Sequence, residues 1–187
     1  MTRRGLLLYG PPAAGKDTVT HALVGLDTRY TLFRRLKVGA GKTAGYRMGS
    51  PTLLTQLEAA GDVIYANSRY GNVYVVDRLG LDAAFAVGVP VVHLGQVAGV
   101  RALVTGYPAA WLTVLLWCPR ELTEARSIAR GDADTAARLA AWDATEQDLA
   151  SDSFPWDLTV DTAVTDPTDT ARRVDQLLRE HAEATSA

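Results

Sequence analysis

The sequence predicts an α/β fold in three layers, with helices covering both faces of a mostly parallel sheet. Three observations predict it. Short apolar runs of strand length alternate along the chain with stretches of helical periodicity. The first apolar run leads straight through a Gly/Pro turn into a helical pattern. The chain has 187 residues, of which 48% are hydrophobic, enough for one domain with its own core.

"GLLLY" (5–9) reads as a short buried strand. Residues 16–26 form a helix, with Val19, Ala22, Leu23 and Leu26 on one stripe. "YTLFRRL" (30–36) is a second strand, and the Gly-rich stretch 38–48 is a loop. Ser50 is an N-cap with Pro51 at the first helical position, and that helix runs to Ala60 before Gly61. "DVIYANS" and "VYVVD" flank "RYGN" and predict a hairpin. Residues 81–87 are helical and stop at Gly88. "VPVVHL" (89–94) and "WLTVLLWC" (111–118) are buried strands, and no element is assigned between them. Helices follow at 120–130 and about 135–149, separated by Gly131-Asp132. "WDLTVD" (156–161) is the last strand, and Asp166-Pro167 opens a final helix to about Ala184. The hairpin interrupts the strand–helix rhythm and is an insert on the sheet.

Composition excludes several classes. No apolar run reaches a membrane span of about 18 residues. "MTRRG" is followed by only "LLLY" before Gly10, too short for a signal peptide. A net charge of -2 argues against a nucleic-acid partner. The lone Cys118 leaves no internal disulfide and fits a reducing cytoplasm. No Cys/His cluster has metal-site spacing, and His21, His93 and His181 read as surface or core residues.

"GPPAAGKDT" (10–18) carries the chemistry. Gly10, Gly15 and Lys16 have the spacing of a phosphate-binding loop, placed between a strand and a helix as that motif requires. Glycines let the backbone N–H groups of Ala13, Ala14 and Gly15 curl toward an anion, and the helix N-terminus adds partial positive charge. Lys16, expected to be exposed at the helix start, can reach the outer phosphates. Asp17 stands where Ser or Thr would hold Mg2+. A carboxylate also ligates Mg2+, or it is simply a first-turn acid favoured by the helix dipole. Thr18 has the hydroxyl but lies about 100° further around the helix.

The arginines point the same way. Arg34 and Arg35 alternate across a strand, so one of them can face a given site. Arg126 and Arg130 lie four apart, a like-charge pair that costs a few tenths of a kcal/mol unless an anion sits between them. The alternative is a solvated face with Arg138 paired to Asp134.

With these pieces in hand, residues 10–161 resemble guanylate kinases and the related ribose 1,5-bisphosphate phosphokinases. Arg34, Lys37 and Tyr46 keep the spacing of the guanylate kinase phosphate-binding stretch, with Lys for its second Arg. "GNVY" looks like the family's Gly-Asn-Tyr-Tyr turn and puts Tyr74 in place of the second tyrosine. "LLWCPRELTEARSIARGDADTAARL" is similar to the family's strand, proline turn and lid, whose arginines carry over to Arg126, Arg130 and Arg138. The departures are as specific. Tyr65 occupies the place of the guanine-reading glutamate, and Gly95 stands where a second acid would be. The Gly-Lys-Asp loop and the Arg34-Arg35 pair are closer to the ribose bisphosphate kinases.

The resemblance implies a P-loop NTPase of nucleoside monophosphate kinase type using ATP and Mg2+. It implies a single kinase domain with core 1–33, 78–125 and 141–187, an acceptor-binding insert 34–77 and a lid 126–140. Gly10, Ala13, Ala14, Gly15, Lys16, Asp17, Thr18 and Arg126 would hold the nucleotide, with Asp17 on the metal. Lys16, Arg130 and Arg138 would be catalytic. Arg34, Arg35, Lys37, Tyr46, Tyr65 and Tyr74 would hold a small phosphorylated acceptor. Asp77 is the candidate base should the acceptor be a hydroxyl. The rivals are a kinase for a hydroxyl on a secondary metabolite or antibiotic, and a non-enzymatic nucleotide-binding module. A monomer and a homodimer are both compatible.

Overall fold

The computed structural model describes residues 3–41, 43–69 and 71–184. Its main sheet has five parallel strands in the order β2-β7-β1-β8-β9. These are β2 (Tyr30–Leu32), β7 (Val89–Leu94), β1 (Arg4–Tyr9), β8 (Ala110–Trp117) and β9 (Leu158–Asp161). The central strand β1 has β7 on one side and β8 on the other. Strand order therefore reverses at β1, and a crevice opens beyond its carboxyl end.

Side-chain alternation along β1 builds two cores. Leu6 and Leu8 face α1 (Lys16–Leu26) and α7 (Pro167–Ala184), where they meet Val19, Leu23, Ala171, Val174 and Leu178. Leu7 and Tyr9 face the other way, toward Leu81 of α3 (Arg78–Val87) and Val97, Val100 and Leu103 of α4 (Val97–Gly106). Each buried Leu contributes about 1.5–3 kcal/mol. These two layers of helices around one sheet are the three-layer α/β architecture the sequence predicts. Leu26, expected on the buried stripe of α1, is exposed at its last turn.

A second, four-stranded sheet has the order β4-β3-β6-β5. It comprises β3 (Leu36–Val38), β4 (Arg47–Gly49), β5 (Val63–Arg69) and β6 (Asn72–Asp77). With α2 (Pro51–Ala60) it encloses a small core of Leu36, Leu57 and Val75. The hairpin is β5–β6, and Tyr70 in its turn lies outside the described residues.

Two expectations need correction. The strand predicted over 30–36 is split. Phe33 still donates its N–H to Val91 O at 2.9 Å, but the chain then leaves the main sheet at Arg34-Arg35 and resumes as β3 in the other one. The stretch 95–110, assigned no element, contains α4. Two glycines mask its pattern, and one is required: a Cβ on Gly99 would lie 2.7 Å from the Tyr65 ring. The pair α5 (Arg120–Ala129) and α6 (Thr135–Ser151) lies between β8 and β9.

Candidate phosphoryl-transfer site

The loop leaving β1 has a backbone that only its sequence allows. A Cβ on Gly10 would sit 2.1 Å from Leu116 O of β8. Gly15 caps α1 at φ 89°, and Ala13 takes φ 60°, a left-handed value that costs a non-glycine residue about 1 kcal/mol. What holds the loop is visible in its carbonyls. Lys16 Nζ donates to Gly10 O at 2.6 Å and Pro11 O at 2.8 Å. Thr123 Oγ1 of α5 donates to Pro12 O at 3.0 Å, and Arg126 donates to Ala13 O at 2.8 Å. Four successive acceptors are turned toward protein donors. At the start of α1, the N–H groups of Gly15, Lys16 and Asp17 have no intrahelical acceptor and are left for an anion.

Lys16 is thus half-buried and bonded to its own loop, not exposed as the sequence suggested. Enclosure pulls its ammonium down to about 8, against the opposing pull of Asp17. A phosphate would replace two neutral carbonyls with a full negative charge.

The loop forms one wall of a cleft of about 830 Å³. Ala13, Ala14, Gly15, Lys16, Asp17 and Thr18 line it. Arg126, Arg130 and Arg138 close one side, and Arg35 and Tyr46 close another. Gly10 shapes the loop from behind and does not line the cleft.

The three arginines of the α5–α6 region are held differently. Arg126 donates from one terminal nitrogen to Ala13 O and from the other to Thr162 O at 2.7 Å, so it ties the loop to the turn after β9. Arg130 donates to Asp132 Oδ2 at 2.8 Å. Arg138 sits 3.2 Å from the same oxygen and 2.8 Å from Asp134 Oδ1. The Asp134 pairing noted from sequence as an alternative is present, although Arg138 also lines the cleft.

Of the residues expected to hold an acceptor, the structure brings only some to the cleft. Arg35 lines the cleft, whereas Arg34 is exposed and points elsewhere. The strand alternation predicted one of the two, and the chain's departure from the main sheet decides which. Arg35 is half-buried, 5.2 Å from the Tyr74 ring centroid, and has no ion-pair partner among the described residues. Burial lowers its pKa, and the neighbouring Tyr46 opposes that, while Nη1 donates to Asn67 Oδ1 at 3.5 Å. Lys37 is buried behind it, donating to Ala40 O at 2.6 Å, with its ammonium 5.6 and 5.9 Å from the Tyr46 and Tyr74 rings. Lys37 and Tyr74 therefore support Tyr46 and Arg35 and do not line the cleft. Tyr65 packs on Gly99 and donates to Gln96 Oε1 at 3.2 Å, also outside it. Asp77 is not a base at this site. It is buried, accepts from Gly80 N at 2.7 Å to cap α3, and pairs with Arg47.

His93 is the residue sequence reasoning missed. It comes from β7, next to β1, and its ring reaches the floor of the cleft. Thr20 Oγ1 donates to Lys16 O at 2.8 Å, so its one proton is committed. The imidazole 2.7 Å away must then donate from Nε2, which assigns the tautomer and leaves Nδ1 as a lone pair. Burial, and next the Lys16 charge, pull His93 down to about 4, so it is neutral. The rule that ligands bind beyond strand ends at a switch point was the available signal. His21 is exposed, as expected, and the side chain of His181 lies outside the described part of the chain. Thr162, Thr165, Pro167 and Thr170 also line the cleft and were not anticipated.

Asp17 is 92% exposed and can turn toward either an ion or solvent. Its carboxylate beside an imidazole lone pair is a donor set that fits a divalent cation.

A family model described as chloramphenicol phosphotransferase-like protein matches residues 4–179. The chain belongs to that family. No curated protein sequence matches it. Among solved structures, guanylate kinase from Anaplasma phagocytophilum is similar, with TM-score 0.66 at 18% identity over 96% of this chain and 86% of that one. A protein designated APE1195 is similar with TM-score 0.53 at 13% identity over 96% of both chains. At such identities the structures share a fold. Family and fold together make this chloramphenicol phosphotransferase-like chain a guanylate kinase-like P-loop kinase. Among the described residues, no helix is long and apolar enough to cross a membrane.

Proposed function

We propose that this protein transfers the γ-phosphoryl group of ATP to a small acceptor that already carries a phosphate. The observation that carries this reading is Arg35: a half-buried cation lining the cleft, beside Tyr46, without a carboxylate partner among the described residues. A buried charge left unpaired is expensive, and an anionic ligand removes the expense.

The loop and Lys16 bind the donor phosphates. Asp17 helps hold Mg2+, which when bound neutralises phosphate charge. Arg35 and Tyr46 bind the acceptor phosphate, with Lys37 and Tyr74 behind them. Residues 126–140 act as a lid over the core. Arg130 and Arg138 leave Asp132 and Asp134 for the charge developing on the γ-phosphate, and the closed lid excludes water. A phosphate acceptor is already ionised and needs no general base.

A second reading is favoured by one finding, the family's own description. It is phosphorylation of a hydroxyl on a compound such as an antibiotic. An ATP-consumption screen separates the two. GMP, ribose 1,5-bisphosphate and other phosphorylated compounds are assayed beside guanosine and chloramphenicol. Turnover confined to phosphorylated acceptors supports the first reading. Turnover of unphosphorylated compounds alone replaces it with the second.

A further inference from the structure

Asp17 Oδ1 and His93 Nδ1 face one another at 3.6 Å. Each is an acceptor. The imidazole proton is on the far nitrogen, bonded to Thr20, and Lys16 is turned away onto Gly10 O and Pro11 O. None of these donors lies between the two. Lone pairs that converge in this way call for a cation. Two bonds of about 2.1 Å meeting at a right angle place their donors about 3.0 Å apart, and wider angles place them further. Rotation of the exposed Asp17 side chain supplies the remaining adjustment. His93 cannot move as freely, because Thr20 holds its ring and the ring is largely buried.

We propose that His93 Nδ1 and Asp17 together ligate the divalent cation that accompanies the nucleotide, and that the nitrogen donor shifts its preference from Mg2+ toward Co2+ and Mn2+. This rests on reading the cleft as the nucleotide site. It also accounts for the acid at position 17. A hydroxyl there could not offset a second charge, whereas a carboxylate paired with a neutral imidazole makes a mixed oxygen–nitrogen site. Imidazole favours the later first-row metals over Mg2+, which prefers oxygen. Thr20 orients the ring, as outer-shell partners of metal-bound histidines do.

The test uses the full chain labelled with 15N-histidine, Mn2+ and a non-hydrolysable ATP analogue. Pulsed electron paramagnetic resonance on the ternary complex is expected to show 15N coupling to Mn2+. His93→Leu should abolish that coupling and weaken Mn2+ binding, measured calorimetrically with saturating analogue, by at least about tenfold. The Co2+ to Mg2+ affinity ratio should fall in the same variant. The wild-type spectrum decides even if the variant does not fold. If Mn2+ and the analogue bind but no 15N coupling appears, the assignment of His93 is overturned and the nucleotide site stands. If the analogue does not bind with any of these ions, the nucleotide-site reading fails, and this inference with it.

Discussion

In the loop of residues 10–16, four successive carbonyl oxygens are tied to donors from α1 and α5. In the proposed lid, Arg130 pairs with Asp132, and Arg138 pairs with Asp132 and Asp134 of the same segment. Both regions present cations to one cleft, and the difference is in what it takes to rearrange them. Three of the four loop bonds come from the charged donors Lys16 and Arg126 and are worth about 1.5–3 kcal/mol each. Exposed ion pairs such as Arg130–Asp132 are worth about 0.2–1 kcal/mol. The loop is therefore built before a ligand arrives, while the lid arginines can change partners at small cost. A phosphoryl-transfer site needs both properties: fixed donors for the nucleotide, and mobile ones for charge that appears during the reaction.

The comparison is sharpest at Lys16, which belongs to the fixed half. Lys16→Met should lower kcat by at least about 100-fold. The melting temperature should stay within about 3 °C, because the lost bonds to Gly10 O and Pro11 O are offset by relief of a partly buried charge. Retained turnover would remove the loop from the mechanism.

The fixed half also depends on how α7 is anchored. Asp175, buried on α7, accepts from Arg29 and Tyr30 at 2.6 Å and from Arg179 at 2.8 Å. Burial pushes its pKa up, but these hydrogen bonds outweigh burial and hold it below the ordinary carboxylate value of 3.8. Asp175→Asn should cost about 2 kcal/mol, seen as a loss of roughly 4–8 °C in melting temperature. In the wild type, the folded state holds this proton less readily than the unfolded chain. The stabilisation is complete above the unfolded value and is lost as pH falls through the lower folded one. Thermal melts between pH 6 and pH 3 should show that loss in wild type and a shallower one in Asp175→Asn.

The mobile half should answer in rates. Arg130→Ala should lower kcat about tenfold or more, with a smaller change in the Michaelis constant for ATP, since the charge it meets develops in the transition state. A change confined to the Michaelis constant would place Arg130 in ground-state binding. Asp132→Asn should act in the opposite direction and more weakly. It releases both arginines from one carboxylate and should raise ATP affinity or basal hydrolysis about two- to threefold. No change in either would show that the Asp132 contacts do not restrain the lid.

Local chemistry made much of the fold legible. The α2 boundaries follow from Ser50, whose Oγ accepts from Leu53 N at 3.1 Å, and from Gly61 at φ 70°. Neither signal needs tertiary context. Where context decides, the sequence was mute. Val97, Val100 and Leu103 form a buried stripe on α4, but Gly99 sits among them for the sake of Tyr65, a contact no local pattern records. The apolar run at 30–36 is one strand by composition and two by topology. The site divides along the same line. The phosphate loop is contiguous and was readable. His93 and Thr162 arrive from β7 and the end of β9, and only the strand order brings them there. Asp77 was an acid at a strand end like any other until its bonds to Gly80 and Arg47 showed a helix cap.

The central claim, that Arg35 reads an acceptor phosphate, is tested most directly by one matched pair of acceptors. Steady-state kcat/KM is measured for a phosphorylated acceptor and its dephosphorylated form, in wild type, Arg35→Met and Arg34→Met. The account predicts that wild type prefers the phosphorylated form by at least about tenfold, roughly 1.4 kcal/mol. That preference should collapse in Arg35→Met and persist in Arg34→Met. A preference for the unphosphorylated compound, or one that survives loss of Arg35, would contradict it.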